Sequence, residues 1–162
     1  MISGHRTYLR VGGVWLLLAA LGHTVGHWLT FVTFRTLDEA HQAPVEDLVS
    51  TPAGAEIWAL FNQFSLAFAL FLLLSGTASV IASRKSVPVR EACHWSGFAG
   101  AFWMLAFVVF LLEPAAPGLI IAGTAAFFHV AAFLAALSPD GPVGPAWEAA
   151  VGGETGRESR HT

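Results

Sequence analysis

Four long apolar stretches, residues 9–34, 55–82, 92–112 and 118–137, leave this 162-residue chain little choice of fold. Each reaches or exceeds the ~20 residues that a helix needs to cross ~30 Å of hydrocarbon. Inside a bilayer the chain has to satisfy its own backbone polar groups, so apolar stretches of this length are expected as helices. The expected fold class is all-α: an integral membrane four-helix bundle. Composition points the same way, because 55% of the residues are hydrophobic and only 12% are charged, too few to solvate a soluble surface.

Breakers separate the stretches. Asp38 to Pro52 is polar and punctuated by Pro44 and Pro52, Arg84 to Arg90 holds Pro88, and Glu113-Pro114-Ala115-Ala116-Pro117 allows only a tight turn. The transmembrane domain is expected over 1–138. The Gly/Pro-rich remainder, 139–162, reads as a flexible cytoplasmic tail. Seven of the eight Lys and Arg residues fall before the first helix, between the second and third, or in the tail, whereas the loop with Asp38, Glu39, Glu46 and Asp47 holds only Arg35. The positive-inside rule therefore predicts that both termini are cytoplasmic. The small-residue run Ala20-Leu21-Gly22 imitates a secretory cleavage site, but the apolar run continues through Val25, Trp28, Leu29, Phe31 and Val32 as a spanning helix does.

Several function classes fall away. A net charge of −3 with no dense basic cluster argues against nucleic acid. Cys93 is the single cysteine, which excludes an intrachain disulfide and any multi-thiolate metal site and reads as a small buried thiol. The expected partner is the lipid bilayer; oligomeric state is not legible.

The chemistry is expected at three histidines inside spanning stretches: His23, His27 and His129. Ionisable groups at bilayer depth are costly and mark functional sites. On a helical wheel His23, His27 and Thr30 share a stripe with Gly12, Ala19, Ala20 and Gly26, opposite Leu17, Leu18, Leu21, Val25, Trp28 and Val32. On the second spanning helix Glu56, Ala59, Gln63, Ala67 and Thr77 share a side, with Asn62 at its edge and Ser65 nearly opposite. His129 lies among Ala122, Ala125, Ala126, Ala132 and Ala136, with Ile120, Phe127 and Leu134 pointing away. Small residues let membrane helices approach, so these faces are expected inside. At ~1.5 Å per residue, His23 and His129 both lie ~16 Å from the outer boundary, and His27 and Gln63 at ~10 to 12 Å. The expected pocket has Glu56 and Glu113 at its mouth, His27, Asn62 and Gln63 below, and His23 facing His129 at its floor. His94 falls at the cytoplasmic end of the third helix, outside that group.

Three uses fit such a pocket. A lipophilic molecule (lipid, quinone or isoprenoid) could be bound, with His23, His27 and His129 as acid/base groups and Asn62, Gln63, Glu56, Glu113 and Thr30 as binding groups. A bis-His haem or metal site would use His23 with His129, although His23-x-x-x-His27 lacks the glutamate of a zincin helix and no carboxylate is expected at midplane depth. In the third use the histidines only tie helices together in a structural or partner-binding protein.

The segment Tyr8-Leu9-Arg10-Val11-Gly12-Gly13, continuing to Ala20-Leu21-Gly22-His23-Thr24-Val25-Gly26, resembles the first helix of a group of small bacterial four-helix integral membrane proteins. The aromatic-rich stretch Gly54 to Phe64 is similar too. The resemblance covers about the first half of the chain. It implies a multi-pass protein of the bacterial inner membrane and carries no activity, cofactor or catalytic residue; His27 lies outside the shared pattern.

Overall fold

The computed structural model describes residues 4–32, 39–112, 116–138 and 141, and among these it is all-helical. Helix α1 spans Gly4–His27 and continues as a π-helical turn, Trp28–Val32. Next come α2 (Glu39–Ser50), α3 (Pro52–Ala82), α4 (Val89–Leu112) and α5 (Ala116–Leu137). Four segments, Gly4–Thr30, Pro52–Ala82, Val89–Leu112 and Ala116–Leu137, are long and apolar enough to cross a membrane. They fit a multi-pass membrane protein.

The helices are longer than hydropathy alone predicts. α1 takes in the polar start His5-Arg6-Thr7. α3 begins at Pro52, whose missing N–H costs nothing at the first helical position, and Thr51 caps it by accepting the Gly54 N–H at 3.1 Å. α2 corrects the expected polar loop: Glu39 to Ser50 form a helix despite Pro44. One i,i+4 pair on its surface, in which Gln42 Nε2 donates to Glu46 Oε1 at 2.7 Å, supports it. The end of the first apolar stretch at Phe34, together with Glu113 and the tail from 142, lies outside the described residues.

The chain divides into two compact units, Met1–Trp15 with Ser75–Thr162, and Leu16–Leu74. In the first unit α4 and α5 bury mostly small residues: Ala92, Cys93, Ser96, Ala99 and Gly100 with Trp103 on α4, and Gly118, Ala122, Ala125, Ala126, Ala132 and Ala136 with His129 on α5. Both sets recur at three- and four-residue steps, so each forms one stripe. The expected alanine face of α5 is buried as predicted, and Ile120, Phe127 and Leu134 are exposed. Lipid is as apolar as leucine, so it is close contact rather than hydrophobic burial that holds such helices together. Gly13 shows how close: a Cβ there would stand 2.8 Å from the Gly76 carbonyl of α3. Arg6 closes one end by donating to the backbone carbonyls of Arg84 and Val87, the latter at 2.9 Å.

The inner face of α3 also differs from expectation. Glu56, Ala59, Gln63, Ala67 and Thr77 are exposed. The covered stripe is Asn62, Ser65, Ala69, Leu72, Gly76 and Ser79, in steps of three and four residues, and Ser83, just past the helix end, continues it. Serine and glycine carry this stripe because they let backbones approach, whereas Glu56, four residues past the helix start, stays exposed where a long polar side chain can reach an interface.

Candidate functional site

In the unit Leu16–Leu74, one turn of α1 carries His23 and His27, and one turn of α3 carries Asn62 and Ser65. The four-residue spacing of the histidines puts both on one side of α1, and their rings stack at 6.2 Å between centroids, tilted by 20°. Ser65 joins them. Its Oγ lies 2.9 Å from His23 Nε2 and 2.8 Å from His27 Nδ1. His27 Nε2 lies 2.8 Å from Asn62 Oδ1, and Asn62 Nδ2 donates to the Trp58 carbonyl at 3.0 Å. Aromatic rings wall the group: Phe68 meets His23 edge-on at 5.3 Å, and Phe61 lies 5.8 Å from the His27 ring.

The proton positions follow from the partners. His23 Nε2 also lies 3.2 Å from the Ser65 carbonyl, which can only accept, so Nε2 carries the hydrogen. Asn62 spends an amide hydrogen on Trp58, so its Oδ1 accepts from His27 Nε2–H. His27 Nδ1 then has a lone pair, and the single hydroxyl hydrogen of Ser65 points to it. The hydrogen bonds therefore run in one direction: His23 Nε2–H to Ser65 Oγ–H to His27, and His27 Nε2–H to Asn62. His27 is buried and His23 half-buried. Among the described residues His23 makes its hydrogen bonds through Nε2 only, which leaves the Nδ1 lone pair for another donor.

His129, in the other unit, has a closed environment. It is fully buried, its Nδ1–H donates to the Ala125 carbonyl at 2.7 Å, and its Nε2 accepts from Ser79 Oγ at 2.8 Å. Ser79 Oγ accepts from Trp95 Nε1–H at 2.9 Å and shares its one hydrogen with the Ser75 carbonyl, also 2.9 Å away. One serine thus links α3, α4 and α5. Both ring nitrogens of His129 are engaged within its own unit.

Of the other expected site residues, Asn62 is in the network, Thr30 is half-buried in the π-helical turn, and Glu56 and Gln63 are exposed. His94 is exposed near the start of α4. Sequence reasoning missed Ser65, which it placed nearly opposite the expected face, and Ser79; a hydroxyl on a helix can bond back to its own backbone and gives little signal by itself. The signal that finds them is the three-and-four spacing from Asn62 to Ser83. It also missed His5, which is 2% exposed with no hydrogen-bond partner for either ring nitrogen among the described residues. Among those residues no three of His, Cys, Asp and Glu gather as a metal-binding group. No family model matches the chain, and neither a curated protein nor a solved structure matches it.

Proposed function

We propose that this is an integral membrane protein that binds a lipophilic small molecule, of the lipid, quinone or isoprenoid classes, against His23, and that His23, Ser65 and His27 relay a proton to or from it. The bacterial inner membrane, with both termini cytoplasmic, is the proposed location. What supports the reading is the one-way hydrogen-bond chain His23–Ser65–His27–Asn62, half-open at the His23 end and walled by Phe61 and Phe68. A hydrogen bond that served only to join helices would be complete with one histidine and one partner. Here two imidazoles share one hydroxyl, and imidazole is the side chain that titrates nearest neutrality. A proton accepted at His23 Nδ1 releases the Nε2 hydrogen to Ser65, whose own hydrogen passes to His27 Nδ1. Asn62 ends the path, because an amide does not take up a proton near neutral pH. His129 serves structure in this reading: a haem ligand needs a ring lone pair, and His129 gives its lone pair to Ser79.

The test is His23→Gln. An amide keeps one donor and one acceptor but does not titrate. The variant is expected to insert and to melt within ~1 kcal/mol of the original, the scale of one membrane hydrogen bond. Lipid mass spectrometry of the detergent-purified proteins, with absorption spectra and metal analysis on the same samples, is expected to find a co-purifying lipophile in the original only. Equal occupancy in both proteins overturns the proposal and leaves the histidines as interhelical ties.

A further inference from the structure

Resting on that reading, we infer that the ligand at His23 is a lipophilic alcohol or phenol, a molecule that presents a hydroxyl hydrogen, rather than a carbonyl-only quinone, an ester lipid or a hydrocarbon. The argument is the direction of the hydrogen bonds. His23 Nε2 faces two oxygens of Ser65, one of them a carbonyl, so the ring hydrogen is committed to that side. The neutral ring then offers only a lone pair at Nδ1. Reversing the ring to the Nδ1–H form would strip the Ser65 carbonyl of its contact and turn the Nε2 lone pair toward Ser65 Oγ, whose one hydrogen is already given to His27. His27 cannot release that hydrogen by changing its own tautomer, because Asn62 Oδ1, held by the Asn62 bond to the Trp58 carbonyl, needs the His27 Nε2 hydrogen. The tautomer of His23 is thus fixed from two residues away. A carbonyl oxygen placed at Nδ1 would meet a lone pair, and a hydroxyl would meet an acceptor. The surroundings suit a molecule whose remainder is apolar: Phe68 stands edge-on to the His23 ring and Phe61 lies beside the His27 ring. A phenolic ring can also stack against Phe61 or Phe68.

The experiment uses the full chain in lipid nanodiscs and two probes of the same shape, 4-nonylphenol and its methyl ether 4-nonylanisole, which lacks the O–H. Binding is measured against empty nanodiscs. The phenol is expected to bind at least tenfold more tightly than the ether, and His23→Phe is expected to remove that preference while still binding the ether. In the unaltered protein labelled with 15N-histidine, the phenol is expected to shift the Nδ1 resonance of His23 and the ether to leave it in place, a measurement that needs no variant to fold. Equal binding of the two probes, both weakened by His23→Phe, overturns the hydroxyl requirement but leaves the lipophile site standing. A tenfold preference that survives His23→Phe places the hydroxyl elsewhere and also overturns the inference. No binding of either probe above empty nanodiscs overturns the site together with the inference.

Discussion

Gly12 on α1 leaves the space of its missing side chain to the imidazole of His129: a Cβ at position 12 would stand 3.3 Å from Cε1 of that ring and 2.9 Å from Cβ of Phe128. The buried histidine is therefore held not only by its two hydrogen bonds but by a backbone pressed against its edge. Gly12→Ala is expected to destabilise by about 1 to 3 kcal/mol, the usual cost of overfilling a packed contact. At Gly22, on the same helix, a Cβ would meet nothing within 4 Å among the described residues. Gly22→Ala is therefore expected to be neutral or to stabilise by up to ~1 kcal/mol through helix propensity. Thermal melts of the two variants in one detergent check this, and equal losses would contradict it.

Ser79 is expected to matter more than its size suggests. Ser79→Ala leaves His129 Nε2 and Trp95 Nε1 without their partner, and an unmade buried hydrogen bond costs about 1 to 3 kcal/mol. Ser83, also buried and one residue past the end of α3, gives its hydroxyl hydrogen to the local Val80 carbonyl. Ser83→Ala is expected to lose a small fraction of that amount. If the two variants melt together, the three-helix link through Ser79 carries no stability.

His5→Leu is expected to leave stability unchanged or to raise it by ~1 kcal/mol, because it removes two polar atoms that lack partners among the described residues and keeps an apolar filler. A fall in melting stability beyond that size would mean that the His5 ring nitrogens have a partner after all.

The proposed topology predicts that an introduced Asp47→Cys reacts with an impermeant maleimide in intact cells, whereas Ser86→Cys reacts only after lysis. The native Cys93 is buried and gives a low background. The reverse pattern of labelling would invert the orientation.

The number of spanning helices, the alanine face of α5 and much of the α1 stripe are legible in the sequence because long apolar runs and small residues leave few alternatives. Helix α2 is not, because prolines and acidic residues read as loop while the helix forms with Pro44 inside it. The inner face of α3 misleads for a different reason. A wheel weighted by polarity follows Glu56 and Gln63, but Glu56, near the helix start, can reach water with its long side chain, and the packed stripe is carried by weakly polar serines. The pair His23 and His27 is visible in the sequence, whereas their shared partner Ser65 requires knowing which way α3 faces.

The π-helical turn at Trp28–Val32 begins at the residue after His27. It takes up more residues per turn than the α-helix before it, so it absorbs an extra residue directly after the histidine pair. Removing one residue from that turn would rewind it toward α-helix with little net rotation, because the wider turn has already absorbed the extra residue, and without touching either imidazole. The wide turn and the hydrogen-bonded histidines are thus separable along one helix: a single-residue deletion between Trp28 and Val32 removes the π-helical turn while His23 and His27 keep their aim.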